Sequence, residues 1–433
     1  MAFSLQHHTH VSLRGSRVVR RRDFLKASAA FGAAAGALSW TDVLAARADE
    51  LRDRGMSCIL LWMSGGPSQF ETFSPKPGHA NGGETKAIDT SVAGIQIAEN
   101  LPHMAKIADE LAIIRSMTSK EGNHQRATYL LHHGYLPMAS VKHPTLGANV
   151  ADQIGNAASE LPSFVQIGGR LPNSGGGGLL GVDYDPLIIQ SASKPPQNTT
   201  PSSEATRFAR RMQLLESMQG DFAAAGGAQV VADQLKVAKR ATDMIHSPRM
   251  AVFDIEREPE QVRESYGSGE FAAGCLMARR LVEQGVTFVE VHARGWDTHQ
   301  DNFAAVRNLC GNVDQPSARL IADLKERGML DKTLVLWMGE FGRTPQINPR
   351  GGRDHFPKAF NVALAGGGVR GGQVIGATND AGTEVTDRPV LIPDLFRSVY
   401  HTLGIDADYE NMSGGGRPIK IVDGGEVVEE LFS

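Results

Sequence analysis

Short unbroken apolar runs recur along the chain, each ending in glycine or a charged residue. "SCILLWM" over Ser57–Met63 runs into Gly65-Gly66, "TFVEVH" over Thr287–His292 into Arg294-Gly295, and "TLVLWM" over Thr333–Met338 into Gly339-Glu340. A run without alternation, bounded by glycine, fits a strand buried on both faces of a parallel sheet. A shorter strand is expected at Ala112–Arg115, and another in "KAFNVALAGGGV" before its glycine turn. Helical patterns separate these runs. They cover Pro102–Glu110, the stretch from the N-cap Asn123 to the stop at Gly134, Arg207–Ile245, Gly274–Gln284 before Gly285, Pro316–Gly328, and a terminal helix capped through Asp394. Strands alternating with helices predict an α/β fold: a doubly wound, mostly parallel sheet with helices on both faces. Residues 170–205 break the rhythm. They are rich in Gly, Pro, Ser and Asn and read as long surface loops around a short strand.

The first 48 residues read as an address rather than as fold. Arg21-Arg22 precede Asp23-Phe24-Leu25-Lys26 and an Ala/Gly-rich stretch too short and too weakly apolar to span a membrane, which is the twin-arginine export pattern. Ala46-Arg47-Ala48 has the small-x-small form of a cleavage site, so the mature chain is expected to begin near Asp49. The expected organisation is therefore a signal peptide over 1–48 and one α/β domain over 49–433, with a loop and helical insertion at about 170–250. The signal carries seven Lys/Arg and two Asp/Glu, so the net charge of −4 divides into +5 for this segment and −9 for the rest. An acidic body argues against a nucleic-acid partner. Three cysteines without a Cys-x-x-Cys pair give neither a disulfide framework nor a thiol metal site. No later run is long enough for a stable membrane span.

In open α/β sheets ligands sit beyond the carboxyl ends of the strands. Asp297, His299, Asp301 and Asn302 follow one strand, and Glu340, Arg343 and Asp354-His355 follow another. Ser64 to Ser68 and Glu71 follow the first run; Ser116, Thr118, Ser119 and His124 follow the short one. Carboxylates and imidazoles suit Zn²⁺ or a similar divalent ion. Asp297 and His299 can point the same way in an extended loop. Asp354 and His355 cannot, so one is expected to ligate while the other orients, unless the loop bends sharply. Arg343 and Arg353 add fixed positive charge suited to an anionic ester. Each piece also has an ordinary structural reading: a turn-stabilising Asp-x-His, a cap at Asp354, a local Glu340–Arg343 ion pair, a solvated His124 at a helix start. Their shared position is what joins them. His132-His133 read as softening a helix dipole and His292 as buried structure.

"GGPSQFETFSPKP", "NHQRATY", "GWDTHQDN", "GEFGRTPQIN" and "GRDHFPKAFNVALAGGGVRGG" resemble an exported bacterial family, abundant in planctomycetes, known as domain of unknown function 1501. That family is a distant relative of the alkaline phosphatase and sulfatase superfamily. The resemblance implies an alkaline-phosphatase-like core with a divalent metal at the strand ends, zinc first, with calcium, magnesium or manganese as alternatives. Asp297 and His299 resemble the superfamily's Asp/His pair and His355 its downstream His. Glu340-Phe341 stands where Asp-His would stand, Ser64 where the first strand normally supplies Asp, and Glu71 where this family's motif carries Asp. The implied metal ligands are thus Asp297, His299, Glu340, Asp354, His355 and Glu71. The segment "MTSKEGNHQRATYLLHHGY" resembles the sulfatase nucleophile region but holds no cysteine, which excludes formylglycine chemistry. Thr118 or Ser119 is then the candidate nucleophile, with a metal-activated water as the alternative, His124 as base or ligand, and Arg343 as the anion holder. The expected function is an exported metal-dependent hydrolase of small-molecule or polysaccharide phosphate or sulfate esters. It would reach the periplasm or exterior through the twin-arginine translocase. The alternatives are a non-catalytic exported binding protein on a decayed scaffold, and an isomerase or transferase of the same superfamily.

Overall fold

Ser57–Ser64 (β1) runs through the middle of a nine-stranded sheet. The chain then adds Leu111–Thr118 (β2), Phe164–Ile167 (β3), Leu187–Ile189 (β4), Phe288–Arg294 (β5) and Thr333–Met338 (β6). Gly342–Arg343 (β7) and His355–Phe356 (β8) form a separate two-stranded ladder above the sheet's β6 end. Phe360–Ala365 (β9), Gln373–Ile375 (β10) and Val390–Leu391 (β11) complete the sheet. Its order is β10-β2-β9-β6-β1-β5-β3-β4, with β11 joining β2 beyond β10. Every pairing is parallel except those of β9, which runs antiparallel to both β6 and β2. The structure is a computed structural model that describes residues 54–156, 158–196 and 205–433, plus a short ladder between His10–Ser12 and Val18–Arg20. The Arg21-Arg22 motif and the expected cleavage site lie outside the described residues.

Helices cover both faces. His124–His133 (α1) and Leu146–Ile154 (α2) lie on one face. Ala205–Phe222 (α3) and Ala228–His246 (α4) form the insertion. Glu270–Glu283 (α5) and Asn302–Glu326 (α6) lie on the other face, and Ile392–Leu403 (α7), the last α-helix among the described residues, lies beside α2, where Asn149 donates to the Tyr400 hydroxyl at 3.1 Å. The two faces differ in chemistry. Ile59, Leu61, Met63, Val289, Val291 and Val335 meet an apolar wall of Cys275, Leu276, Leu281, Val306 and Leu320. Trp62, Gln166, Glu290 and His292 point the other way, into a buried polar layer under α1.

The predicted doubly wound sheet is present. Several bounds moved. β2 reaches Thr118 rather than ending at Arg115, because β9, β10 and β11 all pair with it. α6 begins at Asn302, a dozen or so residues before Pro316, which the helix keeps in its interior. Buried Val306, Cys310 and Val313 hold that extra length against α5 and outweigh the hydrogen bond lost at proline. The helical stretch 205–246 breaks at Ala223–Gly227, where Gly226 takes φ +105°. Cys58, Cys275 and Cys310 are buried and unpaired, and burial pushes the Cys58 thiol well above its ordinary range.

Candidate metal centre

β1, β2, β5 and β6 run the same way, so the loops that leave them emerge at one edge. His124 comes from the loop after β2, at the first position of α1, where Asn123 caps by accepting from the Arg126 amide at 3.2 Å. Asp297 and His299 follow β5, Glu340 follows β6, and His355 lies on β8.

These loops bring three imidazoles and one carboxylate to a point. His124 Nε2, His299 Nε2 and His355 Nε2 lie 3.2, 3.1 and 3.3 Å from Asp297 Oδ1. His299 Nε2 and His355 Nε2 are 3.0 Å apart. His124, Asp297 and His355 each offer a ligand atom within 4.8 Å of one another. The opposite ring nitrogens all face acceptors: His124 Nδ1 meets Glu340 Oε1 at 2.7 Å, His299 Nδ1 meets Asp354 Oδ1 at 2.8 Å, and His355 Nδ1 meets the Gly122 carbonyl at 2.8 Å. An acceptor at Nδ1 fixes the neutral ring as the Nδ1–H tautomer. Three Nε2 lone pairs then converge on an anionic oxygen. Arg343 meets the same oxygen at 2.6 Å, and a cation among the four atoms would satisfy the converging Nε2 lone pairs. His124 Nε2 is buried and makes no hydrogen bond, although Asp297 Oδ1 lies 3.2 Å away. The donor set fits a divalent metal of the zinc type, with the outer acceptors orienting each ring.

The electrostatics agree. Burial works against the Asp297 carboxylate, but the Arg343 hydrogen bond and charge, with His124, hold its pKa down at about 2. Burial pulls His124 down, yet its bond to Glu340 and the charges of Glu340 and Asp297 win and raise it. His355 is lowered by burial and by the neighbouring His124.

Arg343 and Glu71 are placed differently from their expected roles. Arg343 is fully buried. It donates to Gly66 O at 2.9 Å, Arg353 O at 3.1 Å, Trp296 O at 3.2 Å and Asp297 Oδ1 at 2.6 Å, and also to Gly65 O. A guanidinium so engaged ties three loops together and aims Asp297; it is not open to a substrate. The local Glu340–Arg343 pair does not form. Glu71 is fully buried against Arg353 at 2.8 Å, because that buried guanidinium needs a counter-charge, and it is not part of the cluster. Glu340 and Asp354 act on the cluster through His124 and His299. Asp354 and His355 hold the two edges of the His299 ring from a strand that pairs His355 with Arg343. Phe341 is buried with its ring centroid 4.8 Å from His124 and 4.7 Å from His355.

Close backbone approach explains two of the glycines. A Cβ on Gly65 would lie 2.5 Å from the Asp297 amide, and its φ is +119°. A Cβ on Gly352 would lie 2.0 Å from His299 O. Gly65→Ala is therefore expected to cost at least about 1–3 kcal/mol through backbone strain and to weaken metal binding by displacing Asp297. Thermal unfolding and a metal titration check this.

Thr118 and Ser119 stand at the end of β2. The Ser119 hydroxyl accepts from the Glu121 amide at 3.1 Å, and among the described residues neither hydroxyl bonds to the cluster. Ser64 ends β1 half-buried. Asp301 takes φ +47° at the start of α6, and Asn302 accepts from Thr298 at 2.6 Å beneath the loop.

A second polar cluster lies deeper. His132 and His292 both reach Glu290 Oε1, at 2.9 and 2.7 Å, and Gln166 reaches Oε2 at 3.0 Å. All four are buried. The sequence held one signal for it: polar Glu290 and His292 interrupt an otherwise apolar strand at spacing two, so they share a face. His132 carried none, since its i+8 relation to His124 says nothing of the strand beneath.

A family model described as "Protein of unknown function (DUF1501)" matches residues 56–432. The chain belongs to this family. No curated protein matches it. Among solved structures, this DUF1501 chain resembles a sulfatase from Pseudoalteromonas sp., with 16% identity over 84% of this chain and 71% of that one at a TM-score of 0.40. It also resembles the lipoteichoic acid synthase LtaP from Listeria monocytogenes, with 9% identity over 88% and 80% at 0.40. A phosphonate monoester hydrolase from Silicibacter pomeroyi follows, with 12% identity over 87% and 76% at 0.33. Likenesses this loose carry no functional argument.

Proposed function

We propose that the chain is an exported metal-dependent hydrolase of phosphate or sulfate esters. The observation that carries this reading is the convergence of His124, His299 and His355 Nε2 on Asp297 Oδ1, each Nδ1 tied outward. Asp297 and the three imidazoles would hold the ion. When bound, it supplies Lewis acidity toward an ester oxygen and toward a nucleophile. Glu340, Asp354 and the Gly122 carbonyl keep the rings in the ligating tautomer. Arg343 holds the Asp297 carboxylate toward the centre. The cluster opens to solvent, with Asp297 and His299 side chains 47% and 33% exposed, so a substrate has access. Zinc heads the expected ions. Export through the twin-arginine route to the periplasm or exterior is part of the proposal and rests on Arg21-Arg22. Among the described residues no helix is long and apolar enough to cross a membrane.

The test is a panel of aryl phosphate, phosphonate and sulfate esters with Zn²⁺, Mn²⁺, Mg²⁺ or Ca²⁺ restored in turn. Cleavage lost in His355→Ala supports the proposal; equal cleavage by wild type and His355→Ala overturns it. A second reading, an exported metal-binding protein without catalysis, is favoured by Thr118 and Ser119 standing apart from the cluster. Metal binding with no turnover across the panel selects it.

Metal affinity is expected to depend on pH through His124. Its raised pKa means that the proton on Nε2 must leave before a metal binds. Affinity rises with pH until His124 is neutral, then levels off. Below that point each pH unit costs about tenfold for one displaced proton. Competition titrations over a series of pH values read the slope; a flat profile contradicts it.

A further inference from the structure

His132 has two ring nitrogens facing groups that only accept. Nδ1 meets the Thr128 carbonyl at 2.7 Å and Nε2 meets Glu290 Oε1 at 2.9 Å. With Glu290 ionised, both carry protons and the ring is an imidazolium; the Glu290 charge and hydrogen bond raise His132 against its burial, and His132 and His292 lower Glu290 against its own. Glu290 also receives His292 Nε2 and Gln166 Nε2, which makes it an ionised carboxylate with three donors. The cluster is buried throughout, and the His132 imidazolium lies against the Glu290 carboxylate, the pairing under which buried charge is tolerated. The groups around His132 fit this state. His133 is pushed down to about 3, chiefly by burial, and adds no charge. Glu340 contributes a further favourable charge. Trp62 closes one side at 4.3 Å between ring centroids.

The placement links two elements that already meet at the metal centre. α1 carries His124 at its first residue and His132 near its last. β5 carries Glu290, and Asp297 follows its end. Eight helical steps separate the two histidines, about 12 Å along a stiff rod. Pinning one end of α1 to β5 therefore sets where the other end falls.

We propose that His132, with Glu290 and His292, is a positioning device for the metal centre: a buried ion pair that locks α1 along β5 and so aims His124 Nε2 at Asp297. This rests on the metal reading above. His132 touches neither metal nor substrate and acts through His124.

The test uses the full chain and Co²⁺ as the probe. Wild type is titrated first; if it binds no Co²⁺, the metal reading itself falls and the proposal falls with it. Given wild-type binding, His132→Gln is expected to weaken Co²⁺ affinity about tenfold to a hundredfold, the range for losing an outer positioning contact, and to shift the visible bands of bound Co²⁺. Leu320→Ala, in the core on the opposite face of the sheet, controls for lost stability and is expected to keep affinity and spectrum. A folded His132→Gln with wild-type affinity and spectrum overturns the proposal. Should that variant fail to fold, His132→Gln with Glu290→Gln removes both charges together; it is expected to fold and to stay weakened, and wild-type affinity in it overturns the proposal. Ring ¹⁵N shifts of wild-type His132 at neutral pH are expected to show both nitrogens protonated. Those of a neutral imidazole overturn the proposal with no variant at all.

Discussion

Asp297→Asn is expected to abolish tight divalent-metal binding and to reduce ester cleavage by about 10²–10³-fold, the several kcal/mol that a Lewis acid contributes to such a reaction. Asp297 supplies the one anionic atom that all three imidazole Nε2 atoms approach. The amide keeps the shape but not the charge, and its nitrogen turns a donor toward two of three lone pairs at best. A second effect accompanies the first. The buried Arg343 loses its only carboxylate partner among the described residues, so the variant also loses stability. Metal titration and thermal unfolding separate the two. His355→Ala, which leaves the Arg343–Asp297 pair intact, is expected to lose metal with much less loss of stability. Full metal affinity in Asp297→Asn would remove that residue from the centre.

Glu71→Ala gives the opposite pattern. Glu71 and Arg353 are both fully buried and 2.8 Å apart. Removing one partner of such a pair costs about 3–5 kcal/mol, because the other charge remains in the core. Arg353 keeps its bonds to Thr344 O, Pro345 O and Asn81 O, but these are dipoles and do not neutralise it. The variant is expected to unfold several degrees lower and to bind metal with wild-type stoichiometry. Lost stoichiometry at wild-type stability would instead restore Glu71 to the ligand set implied by the family motif.

The sheet was legible because its strands are buried on both faces, and burial writes itself into sequence as unbroken apolar runs ended by glycine. Asn123 and Gly134 marked α1 to the residue, since caps are local chemistry. The antiparallel course of β9 was not legible: a run buried between two strands reads the same in either direction. Pro316 misled for the reverse reason, a strong local signal overruled by tertiary packing. At the site, strand-end position found Asp297, His299, His355 and His124. Sequence could not say which of the many polar residues near those ends face the cluster. Arg343 and Glu71 have the right chemistry and the right address, yet buried partners claim them. Phe341 next to Glu340 offers no ligand, while His124 supplies an imidazole from a different loop.

The most direct measurement is the metal content and metal affinity of the purified full chain beside Asp297→Asn and His355→Ala. A divalent ion is expected bound to wild type and lost from both variants, each still folded. Wild type that binds no divalent ion more tightly than Asp297→Asn would contradict it.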